Sequence, residues 1–202
     1  MKKRSLILSI MLVCGAVILG CSQQSQKLTA AQESKIREIG ESSALELMKN
    51  LRKHLVEAMN QGGAVEAIEV CASQAIPITE EVQSLLQKPI QLKRTSFKFR
   101  NPFNAPDSLE ALALKYFEAS LQQNKTLPEY YIQPVFAAQE YRYYKPMTMD
   151  KPCLSCHASP QTMDPKIAQI LSENYPNDKA VDYQLNDFRG LVRVSIKSEL
   201  IN

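Results

Sequence analysis

Cys153-Leu154-Ser155-Cys156-His157 puts two thiols and an imidazole into five consecutive positions. The chain has only two histidines, and one of them directly follows this Cys-x-x-Cys pair. Three chemistries use such a pair. A redox dithiol usually opens a helix after a strand, where the helix terminus lowers the thiol pKa, and it has no use for the histidine. A zinc site takes four ligands, and the chain holds no second Cys or His pair. The third chemistry needs every part of the spacing. Two thiols separated by two residues reach the two vinyl groups on one porphyrin edge and form thioethers, and the next residue then lies under the iron, where imidazole binds it. The spacing assigns Cys153, Cys156 and His157 to one covalently held haem c. Pro152 and the following Ala158-Ser159-Pro160 predict that the motif lies in a loop.

The other end of the chain fixes the compartment. Met1-Lys2-Lys3-Arg4-Ser5 precedes an apolar run, Leu6 to Leu19, interrupted only by Ser9, Cys14 and Gly15. That is a basic segment and an apolar segment of secretory length, short of the ~20 residues that span a bilayer. The run closes on Gly20-Cys21 and gives way to polar residues, as in a bacterial lipoprotein signal whose cysteine is lipidated and becomes the new N-terminus. The expected organisation is a signal peptide over 1–20, a tether over 21–28 and one domain over 29–202. Lipid on Cys21 would anchor it to a membrane on the periplasmic side of the envelope. The first twenty residues hold three of the 24 basic residues and none of the 21 acidic ones, so the remainder is formally neutral. No basic patch is left to bind nucleic acid. Cys14 leaves with the leader and Cys21 takes lipid, which makes Cys71 the odd sulfur in an oxidising compartment.

Periodicity predicts a long helix from Thr29 to Asn60, opened by a Thr29/Gln32 capping box, with a stripe of Ile36, Ile39, Leu47, Leu51, Leu55 and Met59. Gly62-Gly63 ends it. A second helix runs from Ala64 to about Ala75, with Val65, Ile68, Cys71, Ala72 and Ala75 on a buried face, and Pro77 stops it. A short helix over Thr79 to Gln87 and a strand over 90–99 follow. Asp107 and Glu110 cap a helix reaching about Gln123. Strand-like runs near 130–136 and 138–145 precede the cysteine motif. A helix from Asp164-Pro165 to about Asn174 and a strand over 190–197 close the chain. This order is α+β with a small antiparallel sheet.

His157 fills one face of the iron; the opposite face is open to Cys71, His54, a methionine or nothing. Met147, Met149 and Met163 lie too near His157 in sequence to wrap around the porphyrin rim. Met48 and Met59 sit on the first helix, where methionine is most often core filler. His54 lies beside the apolar stripe, as a ligand or as a partly exposed helix residue. Cys71 is the preferred candidate, because small neighbours leave room for a flat macrocycle. As a buried inert cysteine it would look the same in sequence.

Longer stretches resemble one family. "RNPFNAPD" (100–107), "YRYYKPM" (141–147) with "CLSCH" (153–157), and "YPNDKAVDYQLNDFRGLVRVSI" (175–196) resemble the bacterial single-haem c-type cytochrome domain of PAS-like fold, a haem sensor family first typified in cyanobacteria. "AIEVCASQA" (67–75) resembles the segment that supplies its second axial ligand. The resemblance runs from the first helix onward. It implies a PAS-like antiparallel sheet with a long N-terminal helix and flanking helices. It also implies thioether bonds at Cys153 and Cys156, and axial ligation by His157 and Cys71. Ala158, Asp182 and Asn186 stand where the family pattern has glycine, a residue that often serves a positive φ. Arg100 and Asn101 either contact haem propionates or fix their loop.

Two filled axial positions leave no open site for a substrate. The expected role is therefore redox sensing or electron transfer with a redox or signalling protein as partner, and not catalysis. Ferric iron favours a thiolate, and reduction weakens that bond, so a departing Cys71 would free its helix. The alternative is a haem enzyme acting on peroxide or a small nitrogen oxide after loss of the Cys ligand.

Overall fold

The computed structural model describes residues 28–86 and 89–201; the leader, Cys21 and the tether up to residue 27 lie outside the described residues. Helix α1 (Ala30–Ser73) opens with the expected capping box: Thr29 Oγ1 accepts from the Gln32 N–H at 3.2 Å, and Gln32 Oε1 accepts from the Thr29 N–H at 3.1 Å. Ile36, Gly40, Ala44 and Leu47 keep a three- or four-residue spacing and are buried, while Ile39 and Leu51 pack beside them. Gly63 breaks the helix at φ 71° and ψ −155°, a conformation open only to glycine, and helical backbone resumes at once. The expected pair of helices is thus present, divided at the expected glycine.

Pro77 does not stop the second segment. Helix α2 (Ala75–Leu85) begins two residues before it, so the proline falls in the first turn, where its missing N–H has no intrahelical partner to lose. The expected end at Gln87 lies outside the described residues.

Four antiparallel strands, β1 (Ile90–Thr95), β2 (Tyr131–Val135), β3 (Glu140–Thr148) and β4 (Phe188–Lys197), form one sheet in the order β1-β4-β3-β2. The registers Leu92↔Val194 and Tyr143↔Val194 align an apolar face of Ile90, Leu92, Tyr143, Val192, Val194 and Ile196. Against it pack Ile36, Ala44 and Leu47 of α1 and Ile78 and Val82 of α2. The approach is close: a Cβ on Gly40 would lie 2.2 Å from Cγ of Tyr143. On the other face, Ala113, Leu114 and Phe117 of α3 (Ser108–Asn124) cover Tyr144 and Leu191.

β1 ends at Thr95, short of the expected 99. There the backbone of Gly190, at φ 145°, comes so near that a Cβ would sit 2.4 Å from the Thr95 carbonyl oxygen. The β3–β4 ladder shifts register at Met147/Thr148. These irregularities open one end of the sheet, and the cysteine motif sits there.

Candidate functional site

The motif is helical, not a loop. Asp150 Oδ1 accepts from the Lys151 N–H at 2.8 Å, a 3₁₀ turn covers Lys151–Cys153, and one α-turn, α4 (Leu154–His157), follows. Pro152 sits in the first turn, where proline is tolerated, and Pro160 comes only after His157. The turn separates the two thiols. Cys153 packs beside Met149, Ala180 and Tyr183. Cys156 packs with Ile68 of α1, Met163, and Ile167 and Leu171 of α5 (Pro165–Asn174). Burial pushes the Cys156 thiol up to about 11, against the pull of the Arg100 charge.

His157 Nδ1 lies 2.7 Å from the Ala180 carbonyl oxygen. A carbonyl only accepts, so Nδ1 carries the proton and Nε2 presents its lone pair. Burial, then the charges of Arg100 and Arg189, hold the imidazole well below its ordinary pKa, in the neutral form. The main chain braces the same residue: Tyr183 N–H donates to the His157 carbonyl at 3.0 Å and Asp182 N–H to that of Ala158 at 3.2 Å.

Glycine-like geometry survives at two of the three substituted positions. Asp182 and Asn186 stand at φ 58° and 68°, which short polar side chains tolerate better than most. Ala158, at φ −69°, needs no glycine.

Arg100 fixes the loop behind the motif. Its Nε donates to Asp178 Oδ2 at 2.9 Å, and its Nη2 to the carbonyls of Cys156 at 2.5 Å and Ala180 at 3.3 Å. Asp178 Oδ1 accepts from the Ala180 N–H at 2.7 Å. The Ala180 peptide that orients His157 is thereby held at both ends. Asn101 caps the turn Pro102–Asn104 through the Phe103 N–H, at 3.0 Å.

A cavity of about 470 Å³ opens beside the motif, within the range of small-molecule sites. Cys71, Cys153 and His157 all line it, although more than 80 residues separate Cys71 from the other two. Cys156 and His54 are not on its wall; Met48, Met147 and Met149 are. Met147 and Met149 border the cavity from the segment that leads into the motif, and Met48 borders it from α1. Cys71 corrects another expectation. It is exposed, not packed into the core with Ile68 and Ala75, because its side of the helix gives onto the cavity. Enough protein still surrounds the thiol for burial to raise its pKa, with Arg94 and Arg100 pulling the other way.

Sequence reasoning missed Arg94 and Arg189 on the cavity wall. Arg94 had a signal: it follows Ile90 and Leu92 on the core-facing register of β1, where a third apolar residue would be expected.

Over residues 22–197 the chain matches the family described as Tll0287-like. Among solved structures it is similar to that of the cyanobacterial heme-protein Tll0287, at 19% identity and a TM-score of 0.58, over 80% of this chain and 95% of that one. No curated protein matches. The structural likeness speaks for a shared fold. The sequence match over most of the length goes further, and on it the chain belongs to the Tll0287-like family.

Proposed function

We propose that this protein is an exported, lipid-anchored, single-haem c-type protein of PAS-like fold. It senses redox state or carries electrons, with the iron held between His157 and Cys71. The observation that carries the reading is the meeting of Cys71, Cys153 and His157 on one cavity wall. The donor set fits the group: two thiols one turn apart, a neutral imidazole with Nε2 free, a further thiol from a distant segment, and walls rich in methionine and leucine. The similar structure being that of a heme-protein supports it.

Haem, when bound, supplies a one-electron couple at its iron. Cys153 and Cys156 would hold it by thioether bonds, and lipid on Cys21 would hold the chain to the membrane. The bond from Nδ1 to Ala180 fixes the imidazole's plane and raises the basicity of Nε2. Cys71, whose thiol pKa is raised, gives up a proton to act as a ligand and takes it back on release. It stands on the ten residues of α1 beyond Gly63. Space around that break is open, since even a Cβ added to Gly63 would meet nothing within 4 Å, so the segment would swing about Gly63 once the packing of Ile68 on Met163, Ile167 and Leu171 gave way. This favours the sensor over the plain carrier. With His157 and Cys71 both given to the iron, no ligand position would be left for a substrate, which argues against an enzyme.

The test is expression with an export signal and c-type maturation machinery. A covalent haem that survives acid–acetone extraction, with different axial ligation in the ferric and ferrous spectra, is expected. Colourless protein, or a zinc-loaded one, refutes the reading; a haem whose ligands never change removes the sensor and leaves the carrier.

A further inference from the structure

We infer that Arg94 and Arg189 form an anion site for the two propionate carboxylates of the haem, an assignment that rests on the haem reading above. Four cationic side chains line the cavity: Lys49, Arg52, Arg94 and Arg189. Lys49 lies at the rim with its side chain 77% exposed. Arg52 is taken, donating to Asp150 at 2.8 Å. The other two are half-buried and have no carboxylate within ion-pair distance among the described residues. Arg189 donates to the Lys98 carbonyl at 2.9 Å and lies 5.4 Å from the centre of the Tyr183 ring. Arg94 makes no side-chain hydrogen bond to any described residue, and it stands on the face of β1 that carries Ile90 and Leu92 into the core.

Elsewhere this fold pairs most of its half-buried cations with acids, Lys98, which donates to the Val181 carbonyl, being an exception. Lys93 meets Glu110 at 2.6 Å, Arg142 meets Asp107 at 2.8 Å, and Lys145 meets Glu41 at 2.8 Å. The nearby Arg100 is neutralised by Asp178 at 2.9 Å. Against that pattern, two unpaired guanidiniums on one apolar wall are an anomaly, because a cation out of water is costly without a counter-charge. Burial depresses both pKa values, and the charge of Arg189 adds to this at Arg94 as that of Arg100 does at Arg189. A guanidinium offers a planar fork of donors that matches a carboxylate. Haem brings two carboxylates, which supply one counter-charge for each arginine. A free anion such as phosphate or chloride shares the chemistry, and so does a Cys71 thiolate next to Arg94, so the experiment separates all three.

The full chain, matured with its covalent haem, is compared with Arg94→Leu, Arg189→Leu and the charge-preserving Arg94→Lys and Arg189→Lys. Haem content should stay unchanged, since the thioethers carry attachment. The propionate-bending band in the resonance Raman spectrum should shift in both Leu variants, and the reduction potential should fall with the loss of each positive charge. Each Lys variant, which keeps the fold's charge but loses the fork, should move the band in the same direction by less, and it decides the matter if a Leu variant does not mature. A band that stays put in all four refutes the assignment. So does Arg94→Leu altering the iron–sulfur signature with the band unmoved, which would give Arg94 to Cys71. A wild-type band or potential that shifts as phosphate or chloride is titrated would give the site to a free anion. Wild-type protein without haem refutes the reading beneath and the arginine assignment together; wild-type protein with haem and an unmoved band refutes the arginines alone.

Discussion

Arg100→Met should loosen the motif from the loop that orients His157. The Arg100–Asp178 pair is buried, with each side chain 10% exposed, and the same guanidinium donates to the carbonyls of Cys156 and Ala180. Removing one partner of such a pair leaves a buried carboxylate without its counter-charge, which costs about 3–5 kcal/mol. At roughly 2–4 °C per kcal/mol for a chain of this size, the melting temperature should fall by roughly 6–20 °C. Asp178→Asn should cost less, because its amide oxygen can still accept from the Ala180 N–H. The two changes share one interaction, so the double variant should lose less than the sum of the singles, by about 1–3 kcal/mol. Calorimetry on the four proteins reads this directly. A fall under about 2 °C for Arg100→Met, or strictly additive losses, would refute the clamp.

Three other outcomes follow from the same structure. Gly40→Ala forces a Cβ to 2.2 Å from the Tyr143 ring and should cost about 1–3 kcal/mol in urea unfolding, without changing the haem spectrum. In protein not yet carrying haem, a Cys156 thiol at about 11 should be alkylated at pH 8 about a hundredfold more slowly than a free cysteine, as mass spectrometry can measure. In the same haem-free protein, His157 is neutral when folded and takes a proton more readily when unfolded, so the unfolded state binds more protons below about pH 6.5. Stability should therefore fall with pH through that window, at up to ~1.4 kcal/mol per pH unit, and His157→Asn should flatten the slope.

Local signals read well where the backbone alone decides them. The Thr29/Gln32 and Asp107/Glu110 boxes open α1 and α3 as written, since each needs only two side chains three residues apart. Gly63 breaks α1 for its own conformational reason. Asp182 and Asn186, where the resemblance leads one to expect glycine, stand in left-handed backbone. Pro77 misleads because a proline stops a helix only when it is not in the first turn, and where that turn begins depends on packing against the sheet. Cys71 reads as core for a related reason: periodicity tells which face turns inward, but not whether that face meets side chains or a cavity. The spacing of the motif groups Cys153, Cys156 and His157, and of these Cys153 and His157 line the cavity while Cys156 packs toward α5. That Cys71 and the two arginines line the same cavity depends on contacts between distant segments, which spacing along the chain does not encode.

Electron paramagnetic resonance of the ferric full-length protein beside Cys71→Ala tests the central claim most directly. A low-spin, thiolate-ligated iron is expected in the wild type, and in the variant a loss of that signal with the haem still covalently attached. An identical ferric signal in the two proteins would contradict ligation by Cys71.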